Sequence, residues 1–284
     1  MNLSGRRQSS NVEDRRGKGG KIAIGGGIGG VIIAAVLALL LGKDPSSALQ
    51  QLGETQQSAN TEYVPTEQEK EFEVFASQIL ASTEDVWSSV FKKMGRTYEP
   101  PKLVLFKGSV QSGCGGASAS SGPFYCSADR SVYIDLDFFA DMKKTIGAGG
   151  DFAYAYVIAH EVGHHVQNLL GDLEAAHRKM SSVSKEESNK ISVRLELQAD
   201  FYAGVWGYHE NKMFGSLEDG DIDEAINAAG KIGDDYLQKK SRGYTTPETF
   251  NHGTSAQRTR WLKKGLTTGD IKLGDTFSPA YNSL

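Results

Sequence analysis

The sequence predicts an α+β domain behind a single N-terminal transmembrane helix, and three observations support this. Only one stretch, residues 22–41, is long and apolar enough to cross a bilayer. The chain after it shows a long helical pattern, short strand patterns and further helical patterns, without the strand–helix alternation of an α/β fold. A content of 39% hydrophobic and 23% charged residues is ordinary for a folded globular protein.

The predicted transmembrane helix contains only Ile, Val, Leu, Ala and Gly. At 1.5 Å per residue it matches roughly 30 Å of hydrocarbon, and it exceeds the core of a typical signal peptide. Residues 1–21 hold six basic and two acidic residues, whereas the remaining chain has 25 basic and 33 acidic residues. This asymmetry predicts a single-pass protein of the inner membrane with its N-terminus in the cytoplasm and its domain in the periplasm or outside the cell. The alternative is a cleaved signal peptide, but no A-x-A-like site follows the apolar run.

The predicted organisation has four parts. They are a basic cytoplasmic tail (1–21), the transmembrane anchor (22–41), a polar linker (42–64) and a domain (65–284) that is long enough to bury one core. The acidic excess of the domain argues against a nucleic-acid partner, because phosphate binding needs a basic surface.

Apolar periodicity and capping residues predict the elements of the domain in order. A long amphipathic helix begins near Thr66 and ends at Gly95. Asp151 can cap a central helix, and Asp221 with Glu224 has the spacing of a capping box. The expected strands are residues 103–106 and 132–136, with a Gly/Ser-rich loop over 108–122, and the later helices are 151–170, 185–211, 221–240 and 255–264.

The two cysteines, Cys114 and Cys126, bracket the Gly/Ser-rich loop. In an oxidising, exported compartment they are expected to form a disulfide. Two cysteines at this spacing, without a C-x-x-C pair, do not build a structural zinc site. In a cytosolic domain, two unpaired buried thiols would be the alternative.

The residues that point to chemistry lie on the central helix, where His160-Glu161-Val162-Gly163-His164 is an H-E-x-x-H motif. Positions i and i+4 share one face of a helix, so both imidazoles can bind a single Zn²⁺. Glu161 lies about 100° further around the helix, where it can act as a general base on a water molecule.

A catalytic zinc needs a third ligand, and Glu196 is the candidate. Glu196 and Asp200 lie at i and i+4 on a later helix. This spacing resembles the E-x-x-x-D arrangement of thermolysin-like gluzincins, in which the Glu binds zinc and the Asp orients a ligating histidine. The metzincin extension is absent because Gln167 and Leu170 occupy its positions. Glu174 and His177 are reserve ligands.

Four segments resemble the bacterial membrane-anchored neutral zinc metallopeptidases. The similarity covers roughly residues 65–280, and it implies a zincin-like domain with a small sheet and active-site helices, zinc-dependent hydrolysis of peptide bonds and a protein or peptide substrate. The four segments are FYCSADRSVYIDLDFF, GDFAYAYVIAHEVGHHVQNLLG, RLELQADFYAGVW and HGTSAQRTRWL.

Two further parts of a zincin site are expected. An edge strand should pair with the extended substrate, and residues 131–137 are the candidate. A side chain should donate to the oxyanion, and His252 is the first candidate because it lies in a polar, Gly-containing loop. Tyr156, Tyr202 and Tyr208 are the other contenders for this role. His165, His177 and His209 are expected to be structural or surface histidines.

Three functions are compatible with these patterns. The first is a zinc metalloendopeptidase with Glu161 as general base. The second is a non-catalytic zinc-binding scaffold or chaperone-like exported domain, but such a domain has no need of Glu161. The third is an adhesion or interaction module with an accidental H-E-x-x-H motif, and the spacing of Glu196 and Asp200 argues against it.

Overall fold

The computed structural model describes residues 1–17 and 63–284, which form an α+β domain. The strands are β1 (Val12–Asp14), β2 (Lys102–Phe106), β3 (Ser109–Ser112), β4 (Gly115–Ser118), β5 (Phe124–Cys126) and β6 (Ser131–Asp135). The helices are α1 (Glu67–Lys93), α2 (Asp137–Ile146), α3 (Asp151–Leu170), α4 (Asp172–Met180), α5 (Lys185–Phe214), α6 (Asp221–Lys231), α7 (Asp234–Arg242) and α8 (Ser255–Thr268).

The main sheet has the strand order β1-β2-β6-β5, in which β5 alone runs antiparallel to its neighbour. Strand β2 is apolar on both faces because both faces are covered. Leu103 and Leu105 belong to the core shared with the helices, whereas Val104 and Phe106 belong to a smaller core on the opposite face. The predicted strands at 103–106 and 132–136 are confirmed to within one residue.

The Gly/Ser-rich segment after β2 is more ordered than expected. It forms the β3–β4 hairpin, whose Val110 and Ala117 complete the smaller core. Cys114 and Cys126 form a disulfide with a Cα–Cα distance of 5.8 Å, which joins the hairpin to β5. The predicted disulfide is confirmed, and it fixes the hairpin against the sheet.

The position of β6 corrects the prediction for the substrate strand. β6 pairs with β2 on one side and with β5 on the other, and all five of its residues are buried. Residues 131–137 therefore present no free strand edge, and that prediction is wrong. The edge strand beside α3 is β5, whose Tyr125 hydroxyl donates to Nδ1 of His165 on α3 at 2.9 Å.

The helix boundaries agree with the sequence patterns except around residue 232. The predicted helix 221–240 is divided into α6 and α7, because the chain at Gly233 presses against the start of α8. Glu224 does not complete a capping box at Asp221, since it accepts a hydrogen bond from the backbone N–H of Phe152 and so caps α3. Helix α1 begins directly after Thr66, as expected, and the Thr66 side chain caps it. Helices α2 and α4 were not predicted.

The N-terminal segment, residues 1–17, is part of the domain. Val12, Glu13 and Asp14 pair in parallel with Leu103–Leu105 of β2 and so provide the fourth strand of the sheet. The Ser9 hydroxyl and the Asn11 amide both donate to Oε1 of Glu84 on α1. The amino group of Met1 is buried against Asp221 at 3.0 Å.

The basic residues of this segment are paired with acidic residues of the domain. Arg6 donates to Glu210 at 2.7 Å, and the Glu210 side chain is fully buried. Arg7 pairs with Asp85, and Arg16 pairs with Glu73. Several basic residues of the N-terminal segment therefore form ion pairs within the folded domain, which accounts for part of the charge asymmetry along the chain.

These contacts correct the predicted single transmembrane anchor. Residues 22–41 lie outside the described residues, and among the described residues no helix is long and apolar enough to cross a membrane. A Cβ on Gly17 would lie 2.5 Å from the Cβ of Tyr63, so the two ends of the connection meet. A single span between these ends would separate them by roughly 30 Å. Residues 1–17 pack on the domain, so the predicted fold, a domain behind a single transmembrane helix and separate from its N-terminal tail, is wrong.

Replacement of Arg6 tests whether the N-terminal segment stabilises the domain. Arg6→Ala would leave the Glu210 carboxylate buried without its cation, so we expect the free energy of unfolding to fall by about 3 kcal/mol. The matched control is Arg178→Ala, which removes an exposed ion pair with Glu174 and should cost less than about 1 kcal/mol. Urea denaturation measures both values, and equal effects would contradict a structural role for the segment.

Candidate metal centre

Helix α3 carries the H-E-x-x-H motif through the middle of the core. The helix is buried along nearly its whole length. It crosses α5 closely at Gly163, where a Cβ would lie 2.9 Å from the carbonyl oxygen of Ala199. Glycine at this position lets the two backbones approach and places Glu196 and Asp200 opposite the two histidines.

Three side chains converge where the helices cross. Glu196 Oε2 lies 3.1 Å from His160 Nε2, and Glu196 Oε1 lies 3.5 Å from His164 Nε2. One possible ligand atom from each residue lies within 4.8 Å of the others. Two imidazoles and one carboxylate form the ligand set of a known class of catalytic zinc sites. The residues present therefore fit a zinc ion.

The outer nitrogen of each histidine is held by a hydrogen bond. His160 Nδ1 lies 2.8 Å from Asp200 Oδ1, and His164 Nδ1 lies 2.9 Å from Gln167 Oε1. The Gln167 amide orientation is fixed because its Nε2 donates to Leu195 O. Both acceptors favour the tautomer with the proton on Nδ1, which leaves Nε2 free to bind a metal.

Asp200 is the centre of a buried polar network. The Tyr156 hydroxyl donates to Oδ1 at 2.5 Å, and Arg258 donates to both carboxylate oxygens at 2.8 and 2.9 Å. Burial alone would raise the pKa of Asp200, but Arg258 and His160 outweigh it and lower the pKa. Asp200 therefore stays ionised and available to His160.

The same network acts on the candidate ligands. Burial alone would lower the pKa of His160, but the carboxylates of Asp200 and Glu196 outweigh it and raise the pKa to about 10. Burial would raise the pKa of Glu196, but His164 and His160 lower it. A metal bound through His160 Nε2 would therefore displace a proton.

Glu161 is the acidic residue of this cluster that is not paired. Its Oε2 is buried and has no hydrogen-bond partner among residues 1–17 and 63–284. Burial raises the pKa of Glu161, although the nearby His164 and His160 oppose the shift. A carboxylate of raised pKa beside a metal site has the properties of a general base.

His252 lies in the wall of the cavity that also contains Glu161 and the three candidate ligands. Its Nδ1 lies 3.1 Å from Asp234 Oδ1, while Asp234 Oδ2 accepts the backbone N–H groups of residues 251–253. Burial alone would lower the pKa of His252, but Asp234 outweighs it and raises the pKa. The carboxylate thus orients the ring and favours a proton on it.

A family model described as "Putative neutral zinc metallopeptidase" matches residues 1–277. The chain belongs to this family. The matched range includes the docked N-terminal segment as well as the site. The predicted family, that of the neutral zinc metallopeptidases, is thereby confirmed.

Relatives with similar sequences span most of the chain. The uncharacterized protein YpfJ of Escherichia coli strain K12 is 48% identical over 286 residues, which cover 98% of this chain and 99% of the relative. The uncharacterized protein Rv2575 of Mycobacterium tuberculosis strain H37Rv is 43% identical over 211 residues, which cover 71% and 70%. No solved structure is significantly similar to the chain.

In this zinc metallopeptidase family member, the other predicted candidates are not among the three converging side chains, although Tyr156 lines the same cavity and packs against His160. Glu174 is exposed and pairs with Arg178. Tyr202 packs against Trp87, and the Tyr156 hydroxyl is occupied by Asp200. His165 donates from Nε2 to the carbonyl oxygen of Glu99 and is held by Tyr125. The predicted site residues that lie at or next to the cluster are His160, His164, Glu196, Glu161, Asp200 and His252.

Sequence reasoning missed three residues that support the site. Gln167 follows His164 by three positions, so helical spacing alone could have indicated their contact. Asp234 and Arg258 gave no such signal, because each meets its partner only through the packing of separate helices. Arg258 reaches Asp200 because α8 lies against α5, where a Cβ on Gly265 would lie 2.2 Å from the carbonyl oxygen of Phe201.

Gly163→Ala tests the close helix crossing. The added methyl group would press on the backbone at Ala199, so we expect a loss of about 1–3 kcal/mol in the free energy of unfolding together with weaker zinc binding. Gly230→Ala is the matched control, since its Cβ would lie 3.5 Å from Thr259 Cγ2, and it should be neutral or stabilising by up to about 1 kcal/mol. Equal free energies of unfolding for the two variants would show that the crossing of α3 and α5 does not require glycine at position 163.

Arg258→Ala tests the network around Asp200. Loss of the guanidinium removes a bidentate hold on Asp200, so we expect the zinc affinity to fall about 10- to 100-fold. Arg258→Lys should give an intermediate value because lysine cannot form the bidentate contact. Arg260→Ala, an exposed position on the same helix, is the control, and competition with a chelator measures all three. Equal zinc affinities of the Arg258→Ala and Arg260→Ala variants would contradict a role for Arg258 in holding Asp200 in place.

Proposed function

We propose that the protein is a zinc-dependent endopeptidase in which Glu161 acts as the general base. The observation that carries the proposal is the unpaired, buried Oε2 of Glu161 beside the His160–His164–Glu196 cluster. A purely structural zinc site needs no such carboxylate, and leaving it buried without a partner costs free energy. Membership of the neutral zinc metallopeptidase family supports the same reaction class.

The three converging residues would hold the zinc ion through His160 Nε2, His164 Nε2 and a Glu196 carboxylate oxygen. Zinc, when bound there, would polarise the scissile carbonyl and lower the pKa of a bound water to about 7. Glu161 accepts a proton from the attacking water as its oxygen bonds to the carbonyl carbon. Glu161 then returns that proton to the amine nitrogen as the carbon–nitrogen bond breaks.

His252 is the proposed donor to the carbonyl oxygen as negative charge develops on it. Its position in the cavity wall and the hydrogen bond from Nδ1 to Asp234 support this role. Asp234 would act as a positioning residue, since it keeps the proton-bearing ring in one orientation.

An extended substrate would pair with the free edge of β5. Within the described part of the chain, β5 pairs only with β6, and Pro123 immediately before it lines the cavity. Main-chain pairing at a strand edge holds a peptide in an extended conformation without selecting its side chains.

Glu161→Gln separates catalysis from zinc binding. The amide cannot accept the proton, so we expect zinc content to be retained and peptide cleavage to fall about 10²- to 10⁴-fold. His160→Ala should lose both zinc and cleavage, whereas His177→Ala, which replaces a histidine outside the cluster, should keep both. Metal analysis and a fluorogenic peptide library provide the measurements.

Two outcomes would favour the other functions. A wild-type protein that binds zinc stoichiometrically and cleaves no peptide would favour a scaffold or chaperone-like role. Absence of zinc from protein purified without chelators would refute both zinc-dependent functions and leave an interaction module.

We also propose that the catalytic domain works in the periplasm or outside the cell, because its disulfide is typical of oxidising compartments. The docked residues 1–17 would lie on the same side as the domain.

Thiol labelling tests this location. In cells quenched with acid, we expect Cys114 and Cys126 to resist alkylation until a reductant is added. The Cys114→Ser variant, which cannot form the disulfide, is the control and should be alkylated at Cys126 without reductant once unfolded. Immediate labelling of both cysteines in the wild type would indicate a reducing compartment and contradict the proposal.

A further inference from the structure

The cavity at the metal centre extends beyond the polar residues. It has a volume of about 100 Å³ and is lined partly by apolar side chains and partly by polar ones, which include Glu161, His252, Arg258 and the three converging side chains. The apolar part, here called the apolar recess, consists of Phe138, Met142, Ile146, Val157 and Ile232.

The geometry of the helices creates this recess. Phe138, Met142 and Ile146 are spaced four residues apart on α2 and so form one stripe along that helix. Val157 lies on α3, one helical turn before His160. Because Val157 and Glu161 are i and i+4 on the same helix, the recess begins directly beside the proposed general base.

The size and polarity of the recess limit what it can bind. An apolar cavity of roughly 150 Å³ can accommodate a benzene ring. The whole cavity, including its polar part, has a volume of about 100 Å³, so the recess has room for one aliphatic side chain but not for an aromatic ring. A charged side chain would lose its hydration there without gaining an ion-pair partner from these five residues. Asp141 and Thr145, the polar members on α2, are exposed and half-buried respectively.

We propose that the apolar recess is the specificity pocket of the peptidase and binds an aliphatic side chain of a substrate residue next to the scissile bond. This inference rests on the proposed function. It adds the substrate class, namely polypeptides cleaved beside Leu, Ile or Met. Burial of such a side chain holds the neighbouring carbonyl near Glu161, while a glycine at that position gives no such contact.

Cleavage-site profiling of the zinc-loaded full-length protein tests the preference. We expect peptides with Leu, Ile or Met at one position flanking the scissile bond to be cleaved at least about 10-fold faster than those with Gly or Asp there. Thr145→Trp should fill the recess, reduce cleavage at Leu about 10-fold and favour Ala or Gly, with zinc content unchanged. Lys144→Trp, an exposed position on the same helix, should leave the profile unchanged.

A binding measurement gives a readout that does not depend on turnover. In the zinc-loaded Glu161→Gln variant, a hydroxamate carrying an isobutyl group should bind at least about 10-fold tighter than acetohydroxamate, and Thr145→Trp should abolish the difference. Equal binding of the two compounds, or cleavage without a flanking apolar preference, would overturn this inference and leave the proposed function intact. A protein that takes up no zinc would overturn both.

Discussion

The close approach of α3 and α5 at Gly163 is the constraint on which the rest of the site depends. The two motifs are 32 positions apart in the chain, and neither can bind a metal alone. Backbone contact between Gly163 and Ala199 sets the separation of His160 and His164 from Glu196. A similar contact between α5 and α8 brings Arg258 to Asp200. The metal centre is therefore positioned by backbone packing, which side-chain motion cannot easily disturb.

The charge distribution has a different meaning from the one first inferred. A basic N-terminus followed by an acidic body usually indicates membrane topology. Here Arg6, Arg7 and Arg16 neutralise acidic residues of α1 and α5, so the asymmetry specifies an intramolecular interface. A rule based on loop charges cannot distinguish the two cases, because the partners of a charge depend on tertiary contacts.

The residues of the candidate site could be predicted from the sequence more fully than the packing around them. His160, His164, Glu161, Glu196 and Asp200 follow from helical spacing, and the structure brings them together. The α+β class, the disulfide, the boundaries of α3 and the start of α8 also follow from local patterns. Strand order does not, because it depends on contacts between distant segments. For this reason β6 could be mistaken for an edge strand, and β1 was not predicted.

The parallel pairing of β1 with β2 also bears on how the domain folds. Val12 pairs with Leu103, and Arg6 meets Glu210, which is 204 residues further along the chain. Val12 therefore meets its partner only after β2 has been synthesised, and Arg6 meets its partner only after α5 has been synthesised. Contacts between such distant residues slow folding, and an unpaired strand is prone to aggregation while it waits. The domain is thus expected to reach its native state late, after most of the polypeptide has been made. Until then, its N-terminal segment must be kept from pairing with non-native strands.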